Sequence, residues 1–353
     1  MSFLLTKVIQ SDTIIKRLFA DMAQLVEQLI RNQQVAGSSP AISSIFVGEA
    51  ICLFFFIKMQ GDIMDLCNIS VIKSVMADAG ISFHKEFGQN FLTNRIIPED
   101  IADGCADTSD RMILEIGPGI GCLTQELALR FKKVVAVEID KGLIPVLART
   151  LEEYDNITVI NEDILKVDIK ELVDKYSDGM PVSVCANLPY YITTPILMYL
   201  LESGVKFSTI TVMVQNEVAA RLSAKPGSSD YGAITAVLGY YGSVRKLFKV
   251  PAGCFIPAPK VDSAVVRIDL YDKCPYEIKD EKLFRNCIKA AFEMRRKTLE
   301  NALSAKLGGF TKEQVAEAIN RCGFDPKIRG ERLSTEDFAL LSNHLYDIKT
   351  EQV

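Results

Sequence analysis

The densest chemistry in the sequence lies at Asn187-Leu188-Pro189-Tyr190, directly after the apolar run 182–186. The Asn187 side-chain oxygen and the Leu188 carbonyl can each accept a hydrogen from an exocyclic amine. Held in this way, the nitrogen sits close to an electrophilic methyl group with its lone pair localised for in-line attack. Pro189 fixes the turn, and Tyr190 offers a ring face on which a flipped base can stack. Such a site needs neither a metal nor a strong general base, because an alkylated amine becomes acidic and loses its proton to solvent. A turn of this type also serves simply to join a strand to a helix, so its weight depends on what shares its edge of the fold.

A second turn supplies that context. The apolar run Met112–Ile116 leads into Gly117-Pro118-Gly119-Ile120-Gly121 and then a helical pattern. Glycines between a strand and a helix, here Gly117 and Gly119, let the backbone approach a ligand without a Cβ clash. Glu138 closes the next strand, 21 residues after Gly117, where an acid can accept hydrogen bonds from both ribose hydroxyls of an adenosine-containing cofactor. The spacing is GxGxG rather than the GxGxxG of dinucleotide folds, and Pro118 removes an amide that a pyrophosphate would use. Both features favour S-adenosylmethionine, which carries no phosphate, over NAD. Asp163, in Asn161-Glu162-Asp163 after the third strand, has two readings: an acceptor for the adenine amino group, or a helix cap.

Elements of regular period must carry these turns. Strand-like runs at Met112–Ile116, 134–138, 157–160, 182–186 and 209–214 alternate with helices starting at Leu123, Leu143 and Thr194, a pattern that predicts a parallel sheet covered on both faces. A closing pair of strands, 243–250 and Ser263–Leu270, predicts an antiparallel hairpin on the sheet edge. Beyond Asp272 the strand signals stop. Helical periods at 283–294, 299–307, 315–322 and 338–345 take over, two of them preceded by capping-box spacing at Thr311-x-x-Gln314 and Ser334-x-x-Asp337. The fold class is therefore α/β with a small C-terminal all-α domain. The expected domains are an N-terminal extension at 1–63, a cofactor-binding domain at 64–272 and a helical RNA-binding domain at 273–353.

The extension reads differently from the rest. Its uninterrupted apolar run, 50–57, has eight residues, far short of the ~20 that span a bilayer. It also lacks the layout of a signal peptide. Residues 22–41 resemble a peptide string that recurs when DNA around a transfer-RNA gene is read as protein. The extension is thus expected to be a mis-assigned start or disordered, with Met64 as initiator.

Composition bounds the partners. At 353 residues, 48% hydrophobic and 24% charged, the chain is ordinary for a globular protein, which excludes a polytopic membrane protein or a wholly disordered one. Nine Cys without a CxxC pair and two His, His84 and His344, leave no pattern for a structural metal site or a Cys-His nucleophile. The cysteines read as reduced core residues of a cytoplasmic protein. The formal net charge is −5, and residues 1–63 hold five basic and five acidic residues, so the acidity belongs to the remainder. Any RNA affinity must be local. The stretch 285–306 has six basic residues against two acidic ones, and helical spacing could align Arg285, Lys289 and Arg296, with Arg295 and Lys297 beside them, for phosphate contacts. A solvated helix face is the alternative reading. Phe87 and Phe91 beside Lys85 could stack on a base or on the cofactor, or belong to the core.

Residues 64–353 resemble the 16S ribosomal RNA adenine dimethyltransferase family. The resemblance rests on Phe87-Gly88-Gln89-Asn90-Phe91-Leu92, the glycine turn with Glu115, Val137-Glu138-Ile139-Asp140, Asn161-Glu162-Asp163 and Asn187 to Tyr190. Further blocks are Phe255-Ile256-Pro257-Ala258-Pro259-Lys260-Val261-Asp262-Ser263, Arg295-Arg296-Lys297-Thr298-Leu299 and Arg329-Gly330-Glu331-Arg332-Leu333-Ser334. The resemblance implies a Rossmann-like class I methyltransferase sheet. It implies that Asn90, Leu92, Gly117, Glu138, Asp163 and Asn187 contact S-adenosylmethionine, that Asn187 also holds the target adenine and that Tyr190 stacks on it. The implied activity is N6-dimethylation of two adjacent adenosines near the 3′ end of 16S rRNA during small-subunit biogenesis. The implied partner is that RNA within the 30S subunit or its precursor, met by a cytoplasmic monomer with no metal and no membrane contact. Two alternatives carry different expectations: a 23S rRNA adenine N6-methyltransferase, and a non-catalytic nucleic-acid-binding assembly factor on the same fold.

Overall fold

Unbroken apolar runs bounded by glycine and proline become the middle strands of one sheet. In the computed structural model, which describes residues 64–81 and 89–351, α1 (Ile69–Asp78), β1 (Phe91–Leu92) and α2 (Ile96–Cys105) precede the first long strand. Regular alternation follows as β2 (Met112–Ile116), α3 (Cys122–Arg130), β3 (Lys133–Glu138), α4 (Leu143–Thr150), β4 (Ile157–Asn161), α5 (Ile169–Tyr176), β5 (Val182–Asn187), α6 (Thr193–Glu202) and β6 (Phe207–Gln215). The chain continues through α7 (Asn216–Leu222), α8 (Ala233–Tyr241), β7 (Gly242–Val250), β8 (Phe255–Ile256) and β9 (Ser263–Leu270). It ends in the helices α9 (Glu281–Glu293), α10 (Leu299–Lys306), α11 (Lys312–Arg321) and α12 (Thr335–Thr350). The expectations placed on residues 1–63, and on His84, Lys85 and Phe87, lie outside the described residues.

Seven strands pair in the order β4-β3-β2-β5-β6-β9-β7. The first five in this order run parallel, and their apolar character on both faces is what a doubly covered sheet requires. Leu114, Val184 and Val212 are fully buried at its centre; trimming a side chain such as Leu114 to Ala costs about 2–5 kcal/mol. The expected antiparallel pair forms on the sheet edge: β7 and β9 pair antiparallel, β9 joins the pair to β6, and β7 is the edge strand. The residues explain the order: six of the eight positions in β9 are buried, whereas β7 exposes Ser243, Arg245, Lys246 and Lys249, charges that suit an edge.

Strand order also fixes where a ligand can sit. From β2 the chain moves to β3 and β4 on one side, then returns to β5 on the other, which opens a crevice at the carboxyl ends of β2 and β5. In open α/β sheets ligands bind at that switch point. Both sequence-selected turns, at Gly117 and at Asn187, follow those two strands.

After the sheet, α9 to α12 gather an apolar cluster around Phe284, Leu303, Val315, Phe338 and Leu345, which also takes in Tyr231 and Ala236. Both capping boxes form. The Thr311 N–H donates to Gln314 Oε1 at 2.7 Å and the Ser334 N–H to Asp337 Oδ2 at 2.8 Å, satisfying helix-end groups that would otherwise be orphaned. Among the described residues no helix is long and apolar enough to cross a membrane. Cys67, Cys105, Cys185 and Cys287 are buried free thiols, and Cys122, Cys254, Cys274 and Cys322 are half-buried.

Candidate active site

Three glycines make the first turn possible. Gly117, Gly119 and Gly121 have φ of +68°, +62° and +96°, a region that a Cβ disfavours. Packing closes the alternative as well, since a Cβ on Gly121 would lie 2.9 Å from Leu151 Cδ2. The Gly117 N–H donates to the Val137 carbonyl at 3.0 Å, which ties the turn to the neighbouring strand. Glu138, nearly buried at the end of β3, accepts the Gly119 N–H through Oε2 at 3.2 Å and the Asp140 N–H through Oε1 at 2.8 Å. Burial raises the pKa of its carboxyl, and these backbone donors oppose that rise. Each oxygen keeps lone-pair capacity for a further donor, as two ribose hydroxyls would supply.

The second turn is held from both sides. Asn187 Nδ2 donates to the Asn90 carbonyl at 3.4 Å, while its Oδ1 takes no hydrogen bond from the described residues. The Leu188 N–H donates to the Met213 carbonyl at 3.3 Å, and Pro189 O accepts the Ile192 N–H at 3.2 Å. The Leu188 carbonyl likewise receives no described donor. Two acceptors therefore stand at one point of the turn. Tyr190 closes it, its hydroxyl 2.7 Å from Ser263 Oγ.

A strand pair missed by the sequence reading brings the third wall. β1 and β8 pair antiparallel, Phe91 with Ile256 and Leu92 with Phe255, and the Thr93 N–H donates to the Cys254 carbonyl at 2.8 Å. The Phe255-Ile256 segment thus holds residues 89–92 over the crevice, and Gln89 Nε2 donates to Asp140 Oδ2 at 2.9 Å across it. Two-residue strands leave no periodic signal; only the sequence blocks containing them pointed here.

One cleft unites Asn90, Leu92, Gly117, Gly119, Glu138, Asn187, Leu188, Pro189 and Tyr190. Asp163 is not among its lining residues. Its Oδ1 instead accepts the Leu165 N–H at 3.1 Å and its Oδ2 lies 3.8 Å from Lys166 Nζ, a turn-capping arrangement two residues beyond β4. Phe91, offered for stacking or for the core, also lines the cleft, as do Glu115, Cys122, Ile139 and Leu143, to which sequence reasoning gave no role there. Glu115 is the informative one: a single acid inside an apolar strand is a legible anomaly. It is fully buried, and burial, with the nearby Glu138 charge adding, pushes its pKa up to about 8.

These residues fit S-adenosylmethionine. The glycine cradle leaves room for a ligand against the backbone, nothing lying within 4 Å of where a Gly117 Cβ would be. Glu115 Oε2 and Gln89 Oε1 are buried polar atoms with no partner among the described residues, open to the polar groups of a bound cofactor. Glu138 lines the same cleft, with apolar Ile139 and Leu143 beside it.

The basic residues divide. Arg285 is engaged by Glu202 at 2.7 Å and Glu281 at 3.2 Å, and Arg295 by Glu331 at 2.6 Å and the Ser229 carbonyl at 2.8 Å. Lys289 is exposed, with Glu293 3.9 Å away. Arg296 and Lys297 are exposed and have no described partner. The expected alignment of Arg285, Lys289 and Arg296 on one helix side is corrected: α9 ends at Glu293, and the Lys297 N–H donates to Met294 O at 2.8 Å in a turn that redirects the chain.

Known proteins place this geometry in context. The family profile for ribosomal RNA adenine dimethylase matches residues 80–347. The chain is 49% identical over 263 residues to a ribosomal RNA small subunit methyltransferase A of Lachnoclostridium phytofermentans, covering 74% of this chain and 91% of that protein. A protein of the same name from Clostridium acetobutylicum is 44% identical over 275 residues, 78% of this chain and 98% of its own length. Among solved structures, a dimethyladenosine transferase from Plasmodium falciparum superposes with TM-score 0.63 at 25% identity, covering 73% of this chain and 98% of that one. The 23S rRNA methyltransferase ErmE superposes with TM-score 0.57 at 27% identity, covering 73% and 100%.

Proposed function

The chain belongs to the ribosomal RNA adenine dimethylase family, and on that premise we propose that it dimethylates N6 of two adjacent adenosines near the 3′ end of 16S rRNA during small-subunit biogenesis. It is an S-adenosylmethionine-dependent enzyme of the α/β methyltransferase fold. The observation that carries the reading is the single cleft in which Glu138 and the glycine turn face Asn187, Leu188 and Tyr190.

When bound, S-adenosylmethionine supplies an electrophilic methyl group on a sulfonium. Glu138 accepts the ribose hydroxyls, and the Gly117 and Gly119 backbone packs against the cofactor. Leu92 in β1 and Asn90 just before it close over it. Tyr190 stacks on the extruded adenine, while Asn187 Oδ1 and the Leu188 carbonyl accept its two N6 hydrogens and aim the lone pair at the methyl carbon. Pro189 keeps the two acceptors at a fixed separation. After transfer the positively charged nitrogen sheds its proton to solvent, so the turn needs no base. In the second transfer one N–H remains, and one acceptor suffices to hold it.

The helical region 273–353 serves as an RNA-binding domain, with Arg296, Lys297 and Lys289 as phosphate contacts and Arg285 and Arg295 shaping the surface that presents them. Asp163 contributes by shaping the turn beside Glu138, and by reaching the adenine amino group when cofactor is bound. The enzyme acts as a cytoplasmic monomer on the 30S subunit or its precursor, without a metal. Primer extension on both large rRNAs in a deletion strain tests the substrate: the 16S stops are expected to vanish, and loss of a 23S mark alone would overturn the reading.

A further inference from the structure

Tyr190 is the only member of the Asn187–Tyr190 turn whose side chain is tethered to another strand by a described hydrogen bond, and the tether is short: 2.7 Å to Ser263 Oγ. Ser263 is fully buried and opens β9, paired with Gln215 on β6 and with Val250 on β7. The preceding residue anchors it further. The Asp262 carbonyl accepts the Asn216 N–H at 2.9 Å, and its carboxylate accepts the Ala252 N–H at 3.0 Å and meets Lys249 Nζ at 2.7 Å. The backbone that carries the Ser263 hydroxyl is therefore held by strand pairing on both sides. Tyr191, the next aromatic in the same turn, is 66% exposed and has no described side-chain partner.

We infer that Ser263 is a positioning residue that fixes the Tyr190 ring as a platform for the target adenine and thereby supports the second methyl transfer more than the first. This rests on the reading above that Tyr190 stacks on the base. A phenol pinned at its hydroxyl keeps both side-chain torsions, so the ring plane, and with it the height of N6 over the methyl donor, is set before the base arrives. Misplacement by an ångström is enough to cost orders of magnitude in rate. In the first transfer Asn187 and Leu188 grip two N6 hydrogens and can compensate for a loose ring. In the second, one hydrogen has been replaced by a methyl group, and stacking carries more of the orientation.

The test uses the full chain, S-adenosylmethionine and unmodified 30S particles, with mono- and dimethyladenosine quantified separately. Ser263→Ala is expected to lower kcat for dimethylation about tenfold, the scale of one lost orienting hydrogen bond, with KM for S-adenosylmethionine unchanged and the ratio of mono- to dimethyladenosine raised. Tyr190→Phe removes the same bond without touching β9 and should do the same; the double variant should be no worse than either. If Ser263→Ala folds poorly, Tyr190→Phe alone decides. Wild-type rates and product ratio in Tyr190→Phe, or losses that multiply in the double variant, would overturn the inference. Tyr190→Ala separates the two levels: wild-type activity there would remove the stacking role itself, whereas its loss beside an unaffected Tyr190→Phe would remove only the tether.

Discussion

The carboxylate of Glu138 accepts the Gly119 backbone N–H at 3.2 Å, so the acid that ends β3 and the glycine turn that follows β2 form one unit. The bond aligns the carboxylate with the turn before any ligand arrives, leaving lone pairs open for the ribose hydroxyls of the proposed reading. Glu138→Ala is expected to weaken S-adenosylmethionine binding by about 10²-fold, since hydrogen bonds to a charged group are worth roughly 1.5–3 kcal/mol each. Calorimetric titration measures it. Unchanged affinity would place the ribose elsewhere.

Gly119 tests the same unit from the other side. An added Cβ would meet Phe91 Cε1 at 3.3 Å on a backbone at φ +62°. Gly119→Ala is expected to lose about 1–2 kcal/mol of stability and to displace β1 from the cleft. Both Tm and cofactor affinity should fall; a fall in Tm alone would separate Phe91 from the cofactor.

Glu115 gives a pH dependence of unusual sign. Unfolded, it releases its proton near 4.5; folded, it keeps it to about 8. A raised folded pKa means that its contribution is fully present below the unfolded value and is lost as pH climbs through the folded one. Between pH 5 and pH 8 the Tm of the apo protein should therefore drop more than that of Glu115→Gln, which keeps a neutral isostere at every pH. Equal drops would show that Glu115 ionises normally.

For RNA, the ion pairs distinguish structural from available cations. Lys297→Ala and Arg296→Ala are each expected to shallow the slope of log affinity against log salt by about 0.7–0.9, the release of one counterion. Arg285→Ala, which breaks contacts to Glu202 and Glu281, should lower Tm while leaving that slope unchanged. Filter binding to 16S RNA across a salt series measures the slopes; a shallower slope in Arg285→Ala would return that residue to the RNA surface.

What the sequence disclosed follows the strength of local signals. β2 appears within its expected bounds because Met-Ile-Leu-Glu-Ile is apolar between a polar turn and a glycine. α11 and α12 announce their starts through capping boxes. α2 was missed because Pro98 and Gly104 interrupt its period, although proline is tolerated in a first helical turn. α8 was missed because Ala-Ile-Thr-Ala-Val-Leu-Gly-Tyr-Tyr is apolar nearly all round and offers no face to read. In the site, Glu138 and Asn187 were legible since each ends a strand. The Tyr190–Ser263 contact was not, because 73 positions separate its partners and only the inserted β9 brings them together. Asp163 kept two readings because a carboxylate after a strand suits a cap and a ligand equally.

Asn187→Ala isolates chemistry from binding. It removes the Oδ1 acceptor and the long contact to Asn90, while leaving the basic surface intact. Methyl transfer is expected to fall by about 10²–10³-fold, as for the loss of an orienting polar group in a transition state, with RNA affinity within a factor of about two. Unchanged turnover would remove Asn187 from the mechanism.

Incubation of the purified protein with labelled S-adenosylmethionine and unmodified 30S particles, followed by nucleoside analysis and mapping, tests the assigned activity most directly. The expected result is N6,N6-dimethyladenosine at two adjacent positions near the 3′ end of 16S rRNA. Label confined to 23S rRNA, or no methylated adenosine at all from active cofactor-binding protein, would contradict it.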